Sequence, residues 1–211
     1  MAALTGTLAD LYMASGAGVT FTQEVMTDNG DHETYHVATA NTAHRYWDDT
    51  SALTIEVSTD GGATWAAAAA GTYSVRYVGG VVTFTTVDST REVRVSGKYL
   101  AISQVGQAYD WEVSPTVNIL DVTTFSGGGW KQKTAGLHDA TAKASRYYLD
   151  GTFFGLLGMR FVVIFYPHFS AGERYEAFAY LKSDPIKAGV DAVIDEELDW
   201  EIDGQLFFQA S

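Results

Sequence analysis

Cysteine is absent from this 211-residue chain, and proline is scarce, with 3 residues in all. Without cysteine there is no disulfide scaffold, no thiolate metal ligand and no thiol nucleophile. A chain of this length buries roughly 70% of the surface that its extended form exposes, so it can hold a core without such cross-links. We therefore expect a single domain over residues 1–211.

Positive charge is scarce as well, because 13 Lys and Arg stand against 26 Asp and Glu, giving a net charge of −13. Proteins that bind nucleic acid carry excess cations to neutralise phosphate. Specific DNA binding is therefore not expected, and an anionic membrane is an equally poor partner. No secretory signal is visible at Met1, and the longest strongly apolar stretch, 159–167, is too short to span a bilayer.

Signatures of catalysis and of metal binding are missing too. His32 and His36 are four residues apart, but they fall across a predicted hairpin, whereas a zinc pair needs one helix face. The glycines of 127–129 are not followed by the Gly-Lys-Ser/Thr of a phosphate loop, and no Gly-x-Ser-x-Gly elbow occurs. The sequence predicts no enzyme, and no catalytic, cofactor-binding or metal-binding residues.

What the chain does contain is a series of segments in which apolar and polar residues alternate, with turn residues between them. Alternation with a period of two is typical of half-buried strands, and the Gly79–Gly80 pair favours a tight hairpin. The apolar run 161–166 suits a strand covered on both faces. Residues 150–158 are predicted to form a short helix. The pattern as a whole predicts a mostly β fold of the sandwich or barrel type.

The clearest alternation lies near the C-terminus. Leu198, Trp200 and Ile202 point to one face of a predicted strand, which we expect to be buried. The other face carries four acidic residues: Glu197, Asp199, Glu201 and Asp203. Four acids in a row without a flanking aromatic cleft are typical of a solvated face and not of a catalytic pair.

Two segments have no obvious core partner. Residues 1–18 are small and apolar and contain glycines that disfavour a helix, so they are predicted to form an N-terminal arm. Residues 39–51 have no clear period and are predicted to be a loop with exposed aromatics and both signs of charge. Such a loop is a candidate contact surface, formed by Arg45, Tyr46, Trp47, Asp48 and Asp49.

An Asp-box pattern, Ser-x-Asp-x-Gly-x-Thr-Trp, fills residues 58–65. In such boxes the Ser and the Asp brace a tight hairpin, and the Trp packs beneath it. A propeller needs several such repeats, and the pattern occurs once, so we interpret it as a local turn device. Together with the aromatics of 39–51 it leaves an alternative open, in which the chain is a carbohydrate-binding β-sandwich module.

Several stretches, in order along most of the chain, resemble the major tail protein, or tail tube protein, of long-tailed (siphovirus-like) bacteriophages. They include Gly18 to Asp28 with His44-Arg-Tyr-Trp-Asp, the strand patterns from Tyr73 to Gly97, and the closing strands from Arg174 to Gly204. The central region is similar in Asp121-Val-Thr-Thr-Phe, Trp130-Lys131, Gly136-Leu-His-Asp-Ala-Thr and Tyr148-Leu-Asp-Gly.

That resemblance implies a β-sandwich or barrel-like tail tube fold with one short flanking helix and extended loops and arms. It implies hexameric rings of the chain, stacked into the tube of a virion, from subunits made in the host cytoplasm. DNA would pass through the channel without tight binding. The other partners would be tape-measure, tail terminator and tail tip proteins, with no cofactor.

The resemblance also implies where the candidate residues lie in the tail tube. The face with Glu197, Asp199, Glu201 and Asp203 is expected to line the channel, where its acidity would repel phosphate, although the outer surface of the tube is an equal candidate. Residues 45–49 are expected to contact the next ring. Ring formation would also cover the edge strands, which are otherwise exposed to aggregation.

Overall fold

The computed structural model describes residues 10–14, 16–106, 108–123, 130–190 and 192–210. Strands account for 59% of the described residues and helices for 6%. The predicted mostly β fold of the sandwich or barrel type is confirmed, and its antiparallel sheets are curled. The chain divides into two compact units, one made of Met1–Tyr12 and Gln104–Ser211 and the other of Met13–Ser103.

The strands are numbered in chain order and form two sheets. The eight-stranded sheet has the order β10-β11-β15-β13-β12-β1-β9, with β14 also paired to β15. Its strands are β1 (Asp10–Ala14), β9 (Ile102–Gln104), β10 (Ala108–Asp121), β11 (Lys133–Tyr147), β12 (Arg160–His168), β13 (Glu173–Ser183), β14 (Ile186–Lys187) and β15 (Asp195–Gln209). The units divide within β1 and β9.

The other sheet lies within the unit Met13–Ser103 and has the order β5-β4-β8-β2-β3-β7-β6. Its strands are β2 (Val19–Asp28), β3 (Thr34–Val37), β4 (Thr54–Ser58), β5 (Ala66–Ala67), β6 (Tyr73–Arg76), β7 (Val81–Phe84) and β8 (Glu92–Tyr99). Its core is built from one apolar face of these strands, with Phe21, Tyr35, Val82 and Val93 among the buried members.

The predicted hairpin at Gly79–Gly80 joins β6 to β7, but the link is longer than two residues. β6 ends at Arg76, which is the partner of Val81. Val78 leaves the hairpin because it forms a bridge with Tyr46. Gly80 closes the turn at φ +62°, a left-handed conformation that favours glycine.

The apolar face of β15 and the run in β12 are both confirmed as core. Leu198, Trp200 and Ile202 are 0–7% exposed. Every residue of 161–165 is at most 2% exposed, so β12 is covered on both faces. Tyr166, at the end of the run, is partly buried.

Helical structure in the described residues is limited to three short 3-10 segments, Thr39–His44, Phe154–Leu156 and Phe169–Ala171. The helix predicted for 150–158 is therefore a single 3-10 turn. Three glycines in that stretch lower its helix propensity, and nine residues are too few to nucleate a helix without strong packing. Gly158, at φ +75°, ends the turn.

The predicted N-terminal arm, residues 1–18, falls in part outside the described residues, which begin at Asp10. Its described part includes β1, where Leu11 and Ala14 are 1% exposed. The Leu11 carbonyl accepts a hydrogen bond from the Val105 amide at 2.9 Å. This stretch thus finds its partner in the sheet of its own chain, and a role of the arm between subunits stays a prediction.

Candidate functional site

The acidic row of β15 lies on the solvent side of the strand. Its side chains are 29–45% exposed and alternate with the buried residues of the same strand. Within the described residues, each of the four carboxylates has a cationic partner on a different strand. The pairs are Lys187–Glu197, Lys143 Nζ–Asp199 Oδ1 at 3.4 Å, Lys182 Nζ–Glu201 Oε2 at 2.9 Å and Arg160 Nε–Asp203 Oδ2 at 2.6 Å.

Four carboxylates thus face four cations, and the row is a mixed-charge ladder where the sequence predicted an acidic one. Hydrogen bonds to Glu201 and Glu197 raise the pKa values of Lys182 and Lys187, which remain charged. The alternation in β15 reveals the acids, but the cations come from β11, β12, β13 and β14. Only the strand order brings them together, so no signal within one segment could have revealed them.

The same sheet face continues onto β10. In register, Asp110 lies opposite Ser145, and Glu112 lies opposite Lys143. A shallow groove of about 200 Å³ runs between these strands, lined also by Trp111, Glu197 and Asp199. Among the described residues, Asp110 and Glu112 have no cation within ion-pair distance. This end of the face is therefore net negative.

A two-stranded ribbon extends beyond the eight-stranded sheet. We define the ribbon as residues 115–121 of β10 and 133–140 of β11, which pair with each other from Pro115↔Ala140 to Asp121↔Lys133. The pairing of β11 with β15 begins only at Thr141. The ribbon exposes four large apolar side chains: Val117 (39%), Ile119 (52%), Leu120 (45%) and Leu137 (84%). A two-stranded ribbon of this kind is marginally stable on its own in water.

The segment 39–51 differs from its prediction, because its two aromatics are not exposed. Tyr46 is 1% exposed and Trp47 is 0% exposed. Trp47 bridges to Tyr99 and its ring stacks on Phe21, with 6.3 Å between centroids. The expectation that Tyr46 and Trp47 are exposed is therefore wrong, because both residues form β-bridges and lie in the core, and their contact with a neighbouring ring stays a prediction.

The polar residues of that segment do lie towards solvent. Asp49 is exposed, and Arg45 and Asp48 are half-buried. Asp48 caps the turn by accepting hydrogen bonds from Thr50 N at 3.0 Å and from Thr50 Oγ1 at 2.6 Å. These bonds lower the pKa of Asp48 although burial opposes them. A contact with a neighbouring ring through Arg45, Asp48 and Asp49 stays a prediction.

The Asp box forms the β4–β5 hairpin and acts as the local turn device that the sequence predicted. Ser58 Oγ donates to Asp60 Oδ1 at 2.7 Å and accepts from Gly62 N at 2.9 Å. Asp60 accepts from Thr64 N at 2.9 Å and from Thr64 Oγ1 at 2.5 Å. The Trp65 indole donates to Gly62 O at 3.0 Å, and the Arg94 guanidinium lies 4.4 Å from its ring centroid. The polar groups of the box are thus used within the turn.

Buried charge is the feature that the sequence did not reveal. Arg146 and Glu196 form an ion pair across β11 and β15, and Arg174 Nε lies 2.7 Å from Glu176 Oε2 on β13. All four residues are at most 6% exposed. In sequence these residues look like ordinary members of charged strand faces. Glu196 even stands next to the solvent-facing row, and only the pleat of β15 separates the two environments.

Two features are absent from the described residues. No helix there is long and apolar enough to cross a membrane. No group of three or more His, Asp or Glu side chains in the described part of the chain is placed to hold a metal ion.

Comparison with known proteins gives structural neighbours only. No protein-family model and no curated protein matches the sequence. A chain of the virion of a native gene transfer agent (GTA) particle is similar, with 20% identity, a TM-score of 0.42, and coverage of 52% of this chain and 89% of that one. A chain of the tail of an empty GTA particle, with C6 symmetry, has 21% identity, a TM-score of 0.43, and coverage of 52% and 87%. Likeness at this level does not define a function.

Proposed function

We propose that this chain is a non-catalytic structural subunit of a phage-like tail, and that its copies form stacked hexameric rings of a tail tube. The ribbon is the observation that carries the proposal. It exposes apolar side chains to water on a pair of strands that, among the described residues, has no third strand paired to it. Burial of such side chains is favourable, so the ribbon is suited to lie on another surface.

A second copy of the chain is the partner that this proposal assigns to the ribbon. A head-to-tail contact, in which a projecting element of one copy reaches its neighbour, closes into a ring when the rotation allows it. Such a contact would also cover β10, which among the described residues pairs only with β11 and so forms one edge of its sheet. An uncovered edge of 14 residues would be open to aggregation.

The channel wall is proposed to be the face with Glu197, Asp199, Glu201 and Asp203. Because these carboxylates are paired with cations, the wall would be a mixed-charge ladder with excess negative charge from Asp110 and Glu112. Its lysines and arginine are engaged by carboxylates and are poorly placed to neutralise phosphate. DNA would therefore pass during ejection without tight binding.

The remaining parts of the proposal concern the particle. The subunit would be made in the host cytoplasm and reside in the virion, where tape-measure, tail terminator and tail tip proteins would be its further partners. The carbohydrate-binding alternative has lost its support in 39–51, because Tyr46 and Trp47 are buried. The Asp box gives it no support either, because its polar groups close the turn.

Electron microscopy of the purified chain tests the assembly. We expect rings or tubes at high protein concentration, and we expect Ile119→Glu with Leu137→Glu to abolish them while the variant keeps the wild-type unfolding midpoint. Val87→Glu is the matched control, because Val87 is 64% exposed and lies outside the ribbon. A wild-type chain that stays monomeric at high concentration, or a ribbon variant that still assembles, would contradict the proposal.

The absence of cysteine makes the channel wall testable by labelling. A Glu201→Cys variant should react with a small maleimide in both the free subunit and the tube. A maleimide attached to a bulky polymer should label only the free subunit, because the channel excludes it. Equal labelling of the tube by the bulky reagent would place this face outside the channel and leave the ring assembly itself unaffected.

A further inference from the structure

Three charged side chains meet where β14 lies against β15. Arg146 and Glu196 are cross-strand partners on β11 and β15 and form an ion pair through Nε and Oε2. They are 4% and 0% exposed. The third is Asp184, in the two-residue link between β13 and β14, and its carboxyl lies within hydrogen-bonding reach of the Glu196 carboxyl.

The carboxyl oxygens of this cluster receive too few hydrogen bonds, and Arg146 Nη2, a buried donor beside them, reaches none of them. Glu196 Oε1 and both carboxyl oxygens of Asp184 are buried, and none of them receives a hydrogen bond from the protein. Two ionised carboxylates carry acceptors alone, so they cannot satisfy each other. Two carboxylates against one guanidinium also leave a net negative charge out of contact with water, which is unfavourable. One proton held between the two carboxyls supplies a hydrogen-bond donor and neutralises the excess negative charge.

Among the described residues, the other groups around the cluster do not neutralise its excess negative charge. Among the described residues, Arg146 faces Glu196 from β11, and Asp184 faces it from the link. Asp150 interacts with Arg146 from the segment after β11 and adds negative charge. The Phe153 ring lies 4.4 Å from the Arg146 guanidinium and covers it. Burial, and then the Asp184 carboxyl, raise the pKa of Glu196 above its usual 4.5, although Arg146 opposes them.

We propose that Asp184 and Glu196 share one proton in the folded protein, and that this proton fastens the segment 184–187 to β15. The attachment of that segment is local. Ile186 is the register partner of Glu196, and the Glu197 amide donates to the Pro185 carbonyl at 3.0 Å. Loss of the shared proton places two like charges at this point, so β14 loosens as the pH rises.

The Asp184→Asn variant distinguishes the titration of the shared proton from every other titration in the chain. Asparagine keeps the shape of the side chain, donates to Glu196 Oε1 and leaves one carboxylate for one guanidinium. The pKa of Glu196 is raised in the folded state. The stabilisation by the shared proton is therefore complete below pH 4.5 and is lost as the pH rises towards the raised pKa. In that window the unfolding constant of the wild type relative to the variant should rise by up to about tenfold per pH unit.

Denaturant titrations of both proteins in pH steps measure this ratio. His36, whose pKa is lowered by burial, titrates alike in both and cancels. Asp150→Asn is the matched control, because Asp150 also interacts with Arg146 but its own pKa is lowered by Thr152. That variant should keep the wild-type dependence above pH 4.5.

Infrared spectroscopy of the wild type gives a second readout that does not depend on any variant folding. A protonated carboxyl has its own C=O stretching band, which should persist at pH values where exposed carboxyls are ionised and should vanish at alkaline pH. Amide exchange at Glu197, corrected for base catalysis, should accelerate over the same range. A wild type with no such band would overturn the shared proton. If the band is present but the unfolding constants of wild type and Asp184→Asn have the same pH dependence, or the Glu197 amide does not exchange faster, the shared proton does not fasten β14.

Discussion

The indole of Trp111 on β10 lies 5.4 Å from the ring of Phe165 on β12, although three strands separate β10 from β12 in the sheet. A flat sheet would hold strands four places apart at roughly 19 Å. The sheet therefore curls until its two apolar patches meet. Trp200, on the intervening β15, reaches the same ring edge-on at 5.9 Å. The curl closes one face of the sheet over a core, and the carboxylates of the β15 row lie on the opposite face.

Trp200 should be one of the most costly residues to truncate, because it is 1% exposed and fills the centre of that curl. We expect Trp200→Ala to lower the free energy of unfolding by about 3–5 kcal/mol. Trp130 offers the control, since it is 82% exposed and Trp130→Ala should change stability by no more than about 0.5 kcal/mol. Urea unfolding followed by circular dichroism measures both, and equal costs would contradict the core described here.

Gly80 should tolerate no side chain. Its φ is +62°, and an added Cβ would lie 2.7 Å from Val37 Cγ2 and 2.9 Å from the Arg45 carbonyl oxygen. Gly71 has a similar φ of +83° but open space around it. Gly71→Ala should therefore cost about 1–2 kcal/mol for the backbone conformation alone, and Gly80→Ala distinctly more. The two urea midpoints compare them, and a Gly80→Ala variant as stable as Gly71→Ala would show that the turn relaxes.

The sequence predicted what depends on local alternation. The strand face of Leu198, Trp200 and Ile202 follows from a side-chain period of two, and the doubly covered strand follows from the continuous apolar run 161–166, of which 161–165 are core. The Asp box likewise carries its whole hydrogen-bond set within eight residues, so its turn could be read directly. Interactions between residues a few positions apart leave a pattern in the sequence, so structure that depends on them can be predicted from it.

What depends on strand order could not be read in the same way. Tyr46 and Trp47 lie in a segment without period, and their burial comes from bridges to Val78 and Tyr99, far along the chain. The cations opposite the β15 carboxylates come from four other strands. Glu196 shows the limit most clearly, since alternation places it on the face of Leu198 and Trp200, but nothing in β15 reveals the Arg146 on β11 that pairs with it.

Buried and exposed ion pairs should respond differently to truncation. Glu176 is 0% exposed, and its Oε2 lies 2.7 Å from Arg174 Nε. Glu176→Ala leaves the Arg174 charge buried without this partner, which should cost about 3–5 kcal/mol. Glu197→Ala removes the carboxylate that pairs with the exposed Lys187, and it should have a much smaller effect because solvent screens that pair. Similar losses in the two denaturation curves would mean that burial does not control these pairs.

Asp60 gives the clearest prediction for pH. Hydrogen bonds from the Thr64 side chain, then from the Thr64 amide and Ser58, lower the pKa of Asp60 from 3.8 to about 2. Because the folded value is lowered, the stabilising effect of the ionised Asp60 is complete above pH 3.8 and is lost as the pH falls towards 2. Thr64→Val removes the largest contribution, so a carboxyl NMR titration should find the Asp60 midpoint moved back towards 3.8. Thr90→Val removes the equivalent hydroxyl from Asp88, at 2.7 Å, and should leave the Asp60 midpoint in place. An Asp60 midpoint that does not move in Thr64→Val would show that the backbone amides alone hold the charge of the box.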